Sequence, residues 1–166
     1  MPSRRVPAEL NAGTYFITLT VQRWYYLFDR HARWPILADA LHYCMEHKAL
    51  ELNGYVFMLN HIHLILTSSD VAGFLRDFKR FTSKRLRENL QATEPSVLSL
   101  FIDADGTYRL WQATNAPKKI ESPWFYRQKL NYLHLNPVRK SYVARPEHWV
   151  WSSANPESPL PVSFLQ

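Results

Sequence analysis

Residues 55–67 read YVFMLNHIHLILT, two runs of apolar and β-branched residues on either side of Leu59 and Asn60. Tyr55 to Met58 and His61 to Thr67 therefore read as strands joined by a tight turn, a β-hairpin. Side chains two apart on a strand share a face, so His61 and His63 point the same way while Ile62 and Leu64 point into a core. Two imidazoles on one face can reach one metal ion. They are equally compatible with satisfied surface histidines, and the spacing alone leaves both readings open.

The flanking sequence builds the rest of the domain. Thr14 to Val21 is β-branched and aromatic after the turn residues Asn11 to Gly13, which predicts a first strand. From Pro35, apolar residues recur at helical spacing to about Leu50, and Asn53 with Gly54 is expected to break that helix. Asp70 can cap a second helix from about Val71 to Asn89, with an apolar face of Phe74, Leu75, Phe78, Phe81 and Leu86. Residues 91–109 form a connector, and a short strand is expected at Tyr108 to Gln112. Ser122 and Pro123 start a third helix, which should stop near Asn136 because Pro137 disfavours helical geometry in the residue before it.

The order strand, helix, two strands, helix, short strand, helix describes an α+β fold, with helices expected to cover one face of an antiparallel sheet. One domain is expected over residues 1–166, with a core from about 14 to 145. An extended, proline-rich C-terminal tail follows from about 146 to 166.

Twenty Lys and Arg against fourteen Asp and Glu give a net charge of +6, which favours an anionic polymer as partner. The nine Tyr and six Trp supply both core bulk and faces on which bases can stack. The single cysteine, Cys44, excludes an internal disulfide and fits a reducing compartment. Without a signal-like or membrane-spanning apolar run, the expected location is the cytoplasm, with no membrane partner.

Two further patterns could carry chemistry. On the third helix Gln128, Tyr132 and Asn136 lie four apart and stack on one face, separate from the apolar Tyr126, Leu130 and Leu133. A helical tyrosine is usually packing, but Tyr132 shares its face with polar amides. On the second helix Arg76, Lys79, Arg80, Lys84 and Arg87 gather opposite the phenylalanines, as a phosphate-tracking stripe or a solvated face. A zinc hydrolase would need a third ligand close to the histidines, and the nearest acidic residue downstream is Asp70. No nucleophile elbow for a serine is present.

Taken together, YFITLTV at 15–21, MLNHIHLIL at 58–66, RLWQ at 109–112, YLHLNPVRKSYV at 132–143 and HWVWSS at 148–153 resemble the HUH single-tyrosine nucleases. More narrowly, they resemble the REP-associated tyrosine transposases, relatives of the small insertion-sequence transposases. The resemblance implies a ferredoxin-like sheet with helices packed on it, the HUH nuclease core. It implies that His61 and His63 bind Mg²⁺ or Mn²⁺, with Asn136 at the position of a third ligand. It further implies that Tyr132 attacks a phosphate of single-stranded DNA at or near a palindromic hairpin, giving a 5′-phosphotyrosine that a 3′ hydroxyl can reverse. Arg4, Arg5 and the second-helix stripe are then expected on the DNA backbone. Many relatives carry a glycine and aromatic run where this chain reads ATNAPKK at 113–119. The competing readings are a non-catalytic nucleic-acid-binding module and a replication initiator or relaxase. The YLHLNPVR block argues against the last. Monomer and homodimer both remain open.

Overall fold

In β1 (Gly13–Thr20) alternate residues serve different layers: Tyr15, Ile17 and Leu19 enter one apolar cluster and Phe16 enters another. The same alternation runs through β3 (His61–Ser68), where Ile62, Leu64 and Leu66 join the first cluster and Ile65 the second. A sheet that is apolar on both sides must be covered on both sides. The computed structural model, which describes residues 12–166, bears this out. Helices α1 (Arg33–His47) and α2 (Val71–Thr93) cover the first face, and α4 (Pro123–Arg139) covers the second. The expectation that the helices share one face is thus corrected: the hydrophobic run of the hairpin serves two cores.

The sheet is antiparallel, in the order β2-β3-β1-β4, with β2 at Glu51–Phe57 and β4 at Lys118–Lys119. This is the α+β fold that the element order suggested, with the ferredoxin-like sheet that the resemblance implied. The fourth strand is not Tyr108 to Gln112. That segment makes only isolated bridges, Ile102 to Tyr108 and Val21 to Trp111, because Trp111 turns inward and donates its indole N–H to Thr82 Oγ1. Residues 95–101 supply a short α3 (Pro95–Leu98) and a 3-10 turn (Ser99–Phe101).

Asn53 and Gly54 do not break a helix, which has already ended at His47; they lie inside β2. The register slips between Leu52 and Gly54, the mark of a β-bulge, so that Leu52 and Tyr55 enter the same cluster although three residues apart. The bulged Asn53 is fully buried. Its amide donates to Ser163 O and Glu51 Oε1, its Oδ1 accepts from Thr67, and its carbonyl accepts from Tyr126 Oη at 2.7 Å. Gly54 then faces α4, where a Cβ would stand 2.6 Å from Leu130 Cδ1. The bulge is the dock for α4.

Asp70 caps α2 as expected, accepting from Gly73 N at 2.9 Å. The fully buried Arg33 ties α1 to the end of α2 through Asn89, Thr93 and Glu94, and reaches back to Leu27 O. Helix α4 is capped by Ser122, but it runs through the buried Pro137 to Arg139. Pro137 removes only one late hydrogen bond, and its carbonyl and that of Asn136 are closed by Tyr142 N and Lys140 N. The tail lies along the free edge of β2: Phe57 N donates to Trp151 O, Ser153 N to Tyr55 O and Ser163 N to Leu52 O. Among the described residues no helix is long and apolar enough to cross a membrane.

Candidate active site

Across the sheet His61 pairs with Thr20 and His63 with Thr18, all on the face that α4 covers. Beyond the end of the apolar contact, α4 and this strand pair diverge into an open cleft of about 520 Å³. Thr18, Thr20, His61 and His63 form its floor, Tyr132, Asn136, Arg139 and Lys140 one wall, and Trp24 and Asn60 the rim.

The two histidines sit with ring centroids 4.8 Å apart. His61 Nδ1 meets Asn60 Oδ1 at 2.7 Å, so that nitrogen carries the proton and Nε2 keeps its lone pair. His63 Nδ1 meets Thr18 Oγ1 at 2.8 Å, which leaves its Nε2 for a ligand. Burial, with Lys140 nearby, lowers His61 to about 4, and burial, with His61, Arg139 and Lys129, lowers His63 to about 3. Both rings are therefore neutral near pH 7, the state in which imidazole binds metal.

Tyr132 is 44% exposed, with its ring 5.5 Å from that of His63 and 6.0 Å from that of Phe16. Lys129 Nζ lies 5.5 Å from the Tyr132 ring centroid, and the Arg139 guanidinium covers the ring at 4.6 Å. Arg139 also donates to the Tyr132 carbonyl. Burial, aided by Lys118, holds the Lys129 ammonium below its ordinary range. One turn past Tyr132, Asn136 is buried with its amide nitrogen 3.4 Å from His61 Nε2. Turning that amide over presents Oδ1 at the same place.

These donors suit a divalent cation. Two neutral imidazoles and an amide oxygen bring no charge of their own, so a bound phosphate would complete the shell. Among the described residues no group of three His, Cys, Asp or Glu is placed to hold a metal. Beside the two histidines, Asn136 could supply a third donor.

The structure thus gathers His61, His63, Tyr132 and Asn136 in one cleft and leaves the α2 stripe on the opposite layer. Arg76 and Arg80 pair with Asp77, which also binds Lys48. Lys79 turns inward to Gln112 O, and burial lowers it to about 8. Arg87 covers the Tyr108 ring, and Lys84 lines a groove between α1 and α2. Gln128 is exposed on α4 outside the cleft. Arg4 and Arg5 lie outside the described residues. Lys129, near the Tyr132 ring, was legible as its helical neighbour; the cleft cations Arg139 and Lys140 were missed because the helix was expected to stop near Asn136 and runs on to Arg139. Thr18 and Thr20 were legible as the polar phase of the first strand. Nothing local marks Trp24.

No protein-family model matches the chain. A curated relative, the REP-associated tyrosine transposase of Escherichia coli (strain K12), is 25% identical over 145 residues, 87% of this chain and 78% of that protein. The chain is similar to this REP-associated tyrosine transposase over most of its length. The solved structure of a REP-associated tyrosine transposase bound to a REP hairpin covers 100% of this chain and 94% of its own, with a TM-score of 0.69 and 20% identity. The two share the fold.

Proposed function

We propose that this chain is a transposase acting on REP-like hairpin DNA, and that it cuts and rejoins single strands through Tyr132. The observation that carries the reading is the approach of Tyr132, on α4, to the neutral His61 and His63 pair on β3, with Asn136 beside His61. The likeness to a REP-associated transposase solved on a REP hairpin supports hairpin DNA as the substrate.

In this reading His61 Nε2, His63 Nε2 and Asn136 Oδ1 would hold Mg²⁺ or Mn²⁺. When bound, such a cation neutralises charge on a nonbridging phosphate oxygen and polarises the phosphorus. Asn60 and Thr18 fix the imidazole orientations, and α4 holds the phenol beside them, where it can attack a phosphate in line with the departing 3′ oxygen. The Tyr132 oxygen bonds to phosphorus as the P–O3′ bond breaks; the phenol proton is lost and the 3′ oxygen gains one. The products are a 5′-phosphotyrosine and a free 3′ hydroxyl. A second 3′ hydroxyl reverses the step and joins strands with no nucleotide cofactor. Arg139 and Lys140 offset the phosphate charge from the wall of the cleft.

The test is adduct formation on a hairpin oligonucleotide with an unpaired flank, read as a protein band shifted under denaturing conditions. The band should require Mg²⁺ or Mn²⁺ and vanish in Tyr132→Phe. A metal-independent band, or one that survives this substitution, refutes the mechanism. Hairpin binding indifferent to chelator, with no adduct under any condition, would instead support a binding module.

A further inference from the structure

Of the cleft's residues, Trp24 has no part in the chemistry above. Its indole is 67% exposed at the rim, while the indoles of Trp34, Trp111 and Trp149 each donate inward, to Met58 O, Thr82 Oγ1 and Phe57 O. The backbone that presents it is unusual. Arg23 and Trp24 both take left-handed conformations, with φ of 61° and 50°, in the 3-10 turn that follows β1. Non-glycine residues adopt that region at a cost, and two in succession persist only when neighbouring contacts impose them.

Those contacts come from the catalytic hairpin. Asn60 donates its side-chain amide to Trp24 O at 3.1 Å and accepts from Val21 N at 2.9 Å through its carbonyl. The same Asn60 orients His61 through Oδ1. One residue therefore sets both the metal-facing imidazole and the rim tryptophan. Lys140 and Arg139 line the same cleft.

A solvent-facing indole held by the hairpin backbone, in a cleft that two cations also line, is suited to an unpaired base whose phosphate those cations hold. We infer that Trp24 is the stacking platform for an unpaired base of the single strand next to the scissile phosphate. It is a positioning residue that sets the register of the strand over Tyr132. The inference rests on the proposed function for the identity of the strand.

The experiment uses the full chain carrying Tyr132→Phe, so that DNA stays uncut. The probe is a hairpin oligonucleotide with 2-aminopurine stepped along its unpaired flank. Emission should be quenched at one flank position, and Trp24→Ala should abolish that quenching and weaken binding about tenfold. Trp24→Phe should retain most of both. An abasic site at that position should make the Tyr132→Phe chain and its Trp24→Ala derivative bind alike. Trp124, equally exposed at 65% but outside the cleft, is the control, and Trp124→Ala should change nothing. If Trp24→Ala binds the flanked oligonucleotide as tightly as its parent, or Trp124→Ala loses as much, the inference is overturned while the proposed function stands. If no variant binds any hairpin oligonucleotide, both fall.

Discussion

Gly54→Val should loosen α4 and slow the chemistry at Tyr132, although residue 54 touches no substrate. A Cβ there would lie 2.6 Å from Leu130 Cδ1, with Ile65 Cδ1 closing the other side at 3.5 Å. Carbon atoms in contact stand about 3.5–4.0 Å apart, so the Leu130 side chain, or the helix that carries it, would have to give by roughly 1 Å. Alanine can be accommodated by turning the end of the Leu130 side chain. Valine adds two more methyl groups to a space bounded on both sides, and overpacking of that kind costs about 1–3 kcal/mol. Leu130 is two residues before Tyr132 on the same helix, so the shift moves the phenol with it. A misplacement of about 1 Å can cost on the order of 100-fold in rate. Urea unfolding gives the first quantity and the rate of covalent adduct formation at saturating Mn²⁺ the second. If Gly54→Val leaves both midpoint and rate unchanged, α4 is not docked through this contact. If the double variant Gly54→Val, Leu130→Ala is no faster than Gly54→Val alone, the slowing arises elsewhere.

Asn136→Ala should raise the Mg²⁺ or Mn²⁺ concentration for half-maximal adduct formation by about 10- to 100-fold, and Asn136→Asp should restore metal use; an unchanged metal titration removes Asn136 from the site. Burial lowers His134, which bonds Ser153 Oγ at 2.7 Å, to about 4. Below about pH 6.5 the unfolded chain takes up a proton there that the folded chain refuses, so stability falls as pH drops towards about 4. His61 and His63 act in the same direction, and His134→Asn should reduce the slope by about 1 kcal/mol per pH unit or less, measured by urea unfolding near pH 7 and near pH 5. Arg33→Met should cost about 3 kcal/mol in the same assay, because Leu27 O, Asn89 and Glu94 lose a buried donor; a cost near zero would mean that the site relaxes around methionine.

What the sequence made legible is what local spacing controls. The hairpin around Leu59 and Asn60, the Asp70 cap, and the shared face of Tyr132 and Asn136 all depend on neighbours within a turn or a strand pair. The failures share a different cause. Asn53 and Gly54 carry turn chemistry, but Asn53 is satisfied by Thr67, Tyr126 and Ser163, which lie 14, 73 and 110 residues away. Pro137 would end an isolated helix, yet here it is buried and the chain beyond it closes the freed carbonyls. The fourth strand is a two-residue lysine pair that no propensity favours, set beside β1 by the loop before it. The α2 stripe lies on a helix as expected, but Lys79 turns inward to Gln112 O and the layer that the stripe faces depends on topology, which spacing does not encode.

The histidine pair, the amide and the tyrosine all meet within one polypeptide, since α4 folds back over the sheet of its own chain. This has a genetic consequence. Two defective copies, one with Tyr132→Phe and one with His63→Ala, should fail to complement when mixed, because neither can lend its intact half to the other. An enzyme that exchanged this helix between subunits would recover part of its activity in such a mixture.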